Sequence, residues 1–409
     1  MHKQTVKIVI AGHIDHGKST LIGRLLLDTN SLSREKFLEL KKNSKELGKV
    51  TELAYIVDQL KEEREQDKTI DTAQIPLKVK NRRFTIIDTP GHTELLKNMI
   101  TGATEAQAGL VVIDAKEGIM EQTRRHIFIL DMLGINKAIF AVNKMDIVNY
   151  EKERFEKLKN ELAGFLKNIK IKPLFIIPIS AKKDSNISKK CPYMKWYKGP
   201  SLLQAIYSIT KETGHDKKPL RFPIQDIYEI NEERVIVGRL ESGIMKKSAS
   251  LLILPSNQKA KIKTIKIYGQ ANPSKVYAGQ NIGIILDKNT DIKRGYILVD
   301  KNRSLKLVNS FKGSVLWLSS IPLKINSPMT LRCSTQEIEC MVEKIQKRID
   351  SSTLNTLEEN AKELRLNETG LMTFVTKEPA FFEKFSFIPE LGRFVIEKDS
   401  KPMGIGIVI

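Results

Sequence analysis

The sequence predicts a doubly wound α/β domain followed by two all-β barrel domains. Up to about residue 214, continuous apolar runs alternate with segments of helical spacing. After Asp216-Lys217-Lys218-Pro219 the texture changes to short alternating strands separated by Gly, Asn, Pro and Asp turns. That β-rich remainder divides near Asn309 into two stretches of roughly 90–100 residues, each the size of an independent domain. The expected domains are therefore 1–214, 219–308 and 311–409.

In the first domain the apolar runs are Val6–Ala11, Phe84–Asp88, Gly109–Asp114, Ala138–Asn143 and Leu174–Ser180. Runs without polar interruption belong to strands covered on both faces, as a parallel sheet requires. Ile75, Leu77 and Val79 alternate with polar residues instead, which suits a strand nearer the sheet edge. Between the runs, Lys18–Leu27, Glu94–Ala103, Gln122–Leu133, Glu151–Lys167 and Pro200–Lys211 carry helical periodicity. The alternation of the two patterns gives the doubly wound arrangement. Farther on, Arg234–Leu240, Leu251–Leu254, Ala260–Ile267 and Asn281–Leu286 have the length and turn spacing of barrel strands.

Composition excludes several classes. No apolar run reaches the ~18–20 residues of a membrane span. The chain opens Met-His-Lys-Gln-Thr straight into a strand-like run, with no secretory h-region. Cys191, Cys333 and Cys340 have no metal-ligand spacing, and so few cysteines point to a reducing compartment, the cytoplasm. The 68 basic against 48 acidic residues give a net charge of +20, a field that attracts RNA, nucleotides or an acidic partner. The positives are scattered in pairs such as Lys182-Lys183 and Lys246-Lys247, without interleaved aromatics, so a lysine-rich composition explains them as well. Nucleic acid is on this ground a less favoured partner.

Gly12-His13-Ile14-Asp15-His16-Gly17-Lys18-Ser19 follows a strand and opens a helix, the context a phosphate-binding loop needs. Its glycines let consecutive N–H groups turn inward, and the helix N-terminus, with Thr20 in its first turn among the GTP-binding residues, adds positive dipole. Lys18 is placed to neutralise β- and γ-phosphate charge, and Ser19 to ligate Mg²⁺. Asp88-Thr89-Pro90-Gly91 ends another strand, setting Asp88 to hold Mg²⁺ through water and Gly91 to bring its N–H to the γ-phosphate. Asn143-Lys144-Met145-Asp146 ends a third. There Asp146 can accept from N1–H and the 2-amino group of guanine, a donor pair that adenine lacks. Ser180-Ala181-Lys182 suits a loop presenting a backbone N–H to guanine O6. Any one of these segments is equally an ordinary strand end; four in order, each after a strand, imply GTP.

Asp88-Thr89-Pro90-Gly91-His92, read with the phosphate loop, resembles the translation-factor class of GTPases. The resemblance makes His92 the catalytic residue that positions the attacking water, and it implies that Asp15 helps hold a monovalent cation. Glu63-Arg64-Glu65-Gln66-Asp67-Lys68-Thr69-Ile70-Asp71 resembles the first switch segment of these proteins, with Thr69 as a further Mg²⁺ ligand. It departs from the usual Gly-Ile-Thr-Ile at Asp67 and Lys68, which puts the intrinsic hydrolysis rate in question.

The resemblance spans nearly the whole chain, as in elongation factor Tu and elongation factor one-alpha. Within that set the chain looks most similar to the GTPase subunit of bacterial sulfate adenylyltransferase. Glu63–Asp71, the doubled arginine Arg124-Arg125, Leu316-Trp317-Leu318, Arg348–Leu354 and Leu366–Gly370 carry that likeness. It implies a heteromeric partner, the catalytic ATP-sulfurylase small subunit, whose adenosine phosphosulfate synthesis GTP hydrolysis would drive. The competing expectation is an elongation-factor-like carrier of aminoacyl-tRNA. Lys97–Ala103 and the +20 charge support it; the lack of factor Tu's Gly-Arg-His-x-x-Pro-Phe segment stands against it. A third is a GTP-gated scaffold with slow hydrolysis.

Overall fold

The computed structural model describes residues 5–32, 53, 57, 73–88, 106–210, 215–269, 273–300 and 306–409. The chain forms two compact units, one of residues 1–211 with 351–354, the other of 212–350 with 355–409.

In the first unit the described elements are β1 (Val6–Gly12), α1 (Lys18–Asp28), β2 (Ala73–Val79), β3 (Arg82–Asp88), β4 (Ala108–Asp114), α2 (Glu121–Met132), β5 (Lys137–Asn143), α3 (Lys152–Leu166), β6 (Lys172–Pro178) and α4 (Leu202–Ser208). The six strands lie in the order β2-β3-β1-β4-β5-β6. Neighbours from β3 to β6 run parallel, and β2 alone is antiparallel at the edge. Burial follows position. All seven residues of β4 are buried, as a central strand between two helical layers must be. On β2, Ile75, Leu77 and Val79 are buried while Gln74, Pro76 and Lys78 face solvent. Pro76 costs the sheet least there, since an edge strand has a row of N–H groups with no ladder partner.

The helices show why their sequences fold this way. Phe155, Leu158, Leu162 and Leu166 form the buried stripe of α3 at helical spacing. The last helix begins at Leu202 rather than Pro200, because Ser201 and Gln204 form a reciprocal capping box that fixes the first turn. It ends at Ser208. The helix expected over Glu94–Ala103 and the switch segment Glu63–Asp71 lie outside the described residues.

The second unit holds two β-barrels. Strands Ser250–Leu254, Gln258–Lys266, Asn281–Leu286, Glu233–Arg239, Arg221–Ile230 and Ile297–Asp300 close a ring in that order. The other is a seven-stranded sheet ordered Pro328–Cys333, Arg393–Lys398, Lys401–Val408, Leu307–Trp317, Glu368–Phe381, Gln336–Asp350 and Thr356–Ala361. Pairing of Pro328–Cys333 with Gln336–Asp350 returns this sheet on itself. Phe311 stacks on Phe374 at 5.0 Å, and Phe394 meets both rings edge-on at its core.

Between the two barrels, Leu254, Ile297 and Val299 meet Phe381, Ile388 and Leu391 in one apolar cluster. Arg221 pairs with Glu383 at 2.7 Å beside it, both side chains largely out of water. Removal of either partner would strand a buried charge. The three cysteines are free and buried, Cys191 in the first unit and Cys333 and Cys340 in the second. Burial pushes the Cys333 and Cys340 thiols up to about 12.

Candidate nucleotide site

The segments singled out from the sequence converge at the carboxyl ends of the parallel strands. β1 ends at Gly12, β3 at Asp88, β4 at Asp114 and β5 at Asn143, with Ser180 two residues past β6. In doubly wound sheets ligands bind at this edge, where the connections diverge to opposite faces.

The turn from β1 into α1 depends on two glycines. Gly12 adopts a positive φ of 149° and a Cβ there would run into the Val112 carbonyl. Gly17, the N-cap of α1, sits at φ 89° in the left-handed region. A Cβ on it would lie 2.5 Å from Asn143 Nδ2. Between them Ile14 and Asp15 are exposed, and Asp15 also takes a positive φ of 62°. The half-buried His13 meets His16 edge to face at 5.2 Å. Its Nδ1 is buried without a hydrogen-bond partner among the described residues. Lys18 turns back over the loop, donating to the carbonyls of Gly12 and His13 at 2.9 Å each. Ser19 and Thr20 are partly buried in the first turn of α1.

His16 is the loop's anchor. Fully buried, it places Nδ1 3.3 Å from the Asp114 N–H and Nε2 3.1 Å from Glu117 Oε2. Nδ1 also lies 3.2 Å from the Val112 carbonyl, so the Nε2–H tautomer donates to Glu117 and accepts from Asp114, while the Nδ1–H tautomer donates to Val112. Burial holds the ring below its usual value, against the opposing pull of the Val112 carbonyl, Asp114 and Glu117, which keeps it neutral.

Asn143 joins the loop before α1 to the Ser180–Lys182 loop. Its Nδ2 donates to the His16 carbonyl at 2.9 Å and its Oδ1 accepts the Ala181 N–H at 2.9 Å. Lys144, at φ 61°, reaches back to Asp114 at 2.7 Å. Burial works to raise the Asp114 carboxyl, but Lys144 and the N–H groups of Lys116 and Glu117 outweigh it and hold it below the ordinary range. The Met145 side chain is a core residue, so only its backbone faces the site region, with its N–H on Ile179 O at 3.1 Å. Asp146 accepts from the Ser180 hydroxyl at 2.5 Å. That hydroxyl also receives the Lys183 N–H at 3.2 Å, which fixes both the loop and the orientation of the carboxylate. Lys182 is exposed.

Asp88 is buried at the end of β3, and its register partner on β1 is Ile10. Its carboxylate and the Ser19 hydroxyl are hard oxygen donors of the kind Mg²⁺ takes. Thr69, Thr89, Pro90, Gly91 and His92 lie outside the described residues. Sequence reasoning missed Asp114, Glu117 and Arg24. Arg24 donates to the carbonyls of Ala181 and Lys182. Their partners are roughly a hundred residues or more away along the chain or sit on a neighbouring strand end, so no local pattern marks them.

Residues 3–212 match the family described as elongation factor Tu GTP binding domain, and residues 310–409 match the GTP-eEF1A C-terminal domain-like family. A protein of Methanosphaerula palustris named elongation factor 1-alpha is 35% identical, covering 100% of this chain and 97% of its own length. Proteins of the same name from Archaeoglobus fulgidus and Thermococcus gammatolerans are 35% and 36% identical, again over 100% of this chain and 98% of theirs. The solved structure of Sup35 with GMPPNP aligns over 100% of this chain and 94% of that one at 23% identity, with a TM-score of 0.47.

These relatives overturn the expected likeness to the GTPase subunit of sulfate adenylyltransferase, and with it the ATP-sulfurylase small subunit as partner. The structure supplies a physical reason. Leu316 and Trp317 are core residues of the last barrel, and Thr369 is buried too. Thr369 donates to Val315 O and Trp317 Nε1 to Ile321 O, so these segments record how a barrel is packed and not what it binds. The missing Gly-Arg-His-x-x-Pro-Phe segment likewise argued wrongly against a factor, since residues 310–409 match the eEF1A-type C-terminal domain without it. The chain belongs to the elongation factor Tu and elongation factor 1-alpha family of GTPases.

Proposed function

We propose that this chain is an elongation-factor-like GTPase that delivers aminoacyl-tRNA to the ribosome. One observation carries the reading: relatives named elongation factor 1-alpha match it at about a third identity from end to end. The correction extends to nucleic acid, which moves from a less favoured partner to the favoured one. The net charge of +20 fits a phosphate-rich partner, whose binding would weaken with salt as counterions are released.

In this reading Gly12–Thr20 cradle the phosphates of GTP, Asn143, Lys144 and Asp146 with Ser180, Ala181 and Lys182 hold the base, and Thr89, Pro90 and Gly91 follow the γ-phosphate. Ser19, Asp88 and Thr69 would hold Mg²⁺, which supplies charge neutralisation between the β- and γ-phosphates. His92 orients the attacking water. The reading places the protein in the cytoplasm and divides it at 1–214, 219–308 and 311–409.

The test is protection of the aminoacyl ester. Aminoacyl-tRNA mixed with the GTP-bound protein should deacylate more slowly than with the GDP-bound form, and the difference should fade as salt rises. Equal deacylation with GTP, GDP and no protein would overturn the proposal.

A further inference from the structure

The loop proposed to read guanine is short, with Ser180 and Ala181 buried and Lys182 exposed, and reading O6 requires its amide to hold one position. Asn143 holds the loop from one side only, by accepting the Ala181 N–H. The other side is held by a residue that belongs to none of the four recognition segments. Arg24, in the second turn of α1, donates from Nε to Ala181 O at 3.2 Å and from Nη2 to Lys182 O at 3.3 Å. Its side chain is largely covered, at 22% exposure. The planar guanidinium suits this task, because its fork reaches two successive carbonyls at once where an ammonium would serve as a single point.

The surroundings keep Arg24 on those carbonyls. Among the described residues it pairs with the Asp28 carboxylate, one turn along α1, at 3.8 Å, farther than either carbonyl. Asp28 faces Asp184 of the same base loop, with Arg24 and Ser188 as its other neighbours. Ser188 in turn donates its hydroxyl to Asp184 at 3.0 Å. Burial, and then Asp184, push the Asp28 carboxyl up to about 7, so near neutrality it is partly protonated and draws less on the guanidinium. Helix α1 is also the helix that carries Lys18 and Ser19 at its start.

We propose that Arg24 is a positioning residue for guanine recognition, holding the Ala181–Lys182 backbone against the phosphate-loop helix so that the loop amide meets O6. The proposal rests on the reading that Ser180–Lys182 face the base. It makes Arg24 a determinant of the 6-oxo contact and leaves the N1 and 2-amino contacts to Asp146.

The experiment compares wild type, Arg24→Ala and Arg24→Lys in the full chain. It measures affinity for GTP, for ITP (6-oxo kept, 2-amino absent) and for the triphosphate of 2-aminopurine riboside (6-oxo absent). Arg24→Ala should weaken GTP and ITP equally, by about five- to tenfold for the hydrogen bonds lost. It should weaken the 2-aminopurine nucleotide much less, so the preference for a 6-oxo base shrinks while the GTP-to-ITP ratio holds. Arg24→Lys, keeping one donor, should fall between. Thermal melting of each variant separates this from general loss of fold, which would lower all three affinities together and overturn the proposal. Asp146→Asn run in parallel distinguishes the two levels. If it switches preference to XTP while Arg24→Ala leaves every affinity unchanged, Arg24 has no positioning role and the base reading stands. If Asp146→Asn makes no switch, the base reading itself falls and the proposal with it.

Discussion

The Asn143 side chain accepts the Ala181 N–H at 2.9 Å across 38 residues of sequence, and its other end donates to His16 O. One buried amide thus ties the loop before α1, proposed to hold phosphate, to the loop proposed to hold the base. Asn143→Ala would strand the His16 carbonyl and the Ala181 amide, at a cost of about 2 kcal/mol of stability. Nucleotide affinity should fall with it, because both loops lose the same brace. Melting and GDP titration of the variant check this; an unchanged melt with unchanged affinity refutes the brace.

Gly17 faces the same side chain. Gly17→Ala combines a left-handed backbone with a Cβ 2.5 Å from Asn143 Nδ2, and both effects act in one direction. The expected result is a loss of GTP affinity at least as large as that of Asn143→Ala. Combined in one chain, the two changes should cost less than their sum, since they share a contact. Additive effects in that double-mutant cycle would show that the glycine acts elsewhere.

Base choice is tested at Asp146. Asp146→Asn exchanges a double acceptor for a group that also donates, which suits the 2-oxo group of xanthine. GTP affinity should drop by about two orders of magnitude while XTP affinity rises. A variant that still prefers GTP contradicts the assignment.

His92 sits four residues beyond Asp88, outside the described residues, and its assignment comes from the sequence. His92→Ala should keep GTP affinity and slow single-turnover hydrolysis by on the order of 10²-fold, the cost of a misplaced attacking water. Hydrolysis at the wild-type rate would remove His92 from the mechanism.

A pH dependence follows from Asp28, whose folded carboxyl stands at about 7 because of burial and Asp184. The free carboxyl ionises near 3.8, so its stabilising contribution is complete below that value. It is lost as pH rises through 7, where two carboxylates come to face each other. Asp28→Asn removes the like-charge pair. It should therefore stabilise the chain at pH 8, by on the order of 1 kcal/mol for a half-solvated pair, and change little at pH 4. Melts at both values decide it, and an equal shift at each would refute the pairing.

Most of the α/β layer was legible because burial on both faces leaves continuous apolar runs, as at Gly109–Asp114, and one-sided burial leaves alternation, as at Ile75–Val79. The four recognition segments were legible for a related reason: each is contiguous and sits where a strand ends. What escaped was contact between segments. Nothing near Arg24 signals Ala181, and nothing near His16 signals Glu117, because such pairs exist only after the sheet has ordered its strands. The partner was misread through residues such as Trp317 and Thr369, whose identity is dictated by barrel packing and carries no information about a ligand.

The three buried cysteines give the molecule an internal clock for its own opening. Shielded thiols, two of them with ionisation pushed to about 12, react with an alkylating probe only when their surroundings come apart. Because Cys191 lies in one unit and Cys333 and Cys340 in the other, the order in which they become labelled reports which unit loosens first. Adding GTP should slow the labelling of Cys191 through the stabilisation that a bound ligand confers. The barrel cysteines respond in step only if the two units open as one.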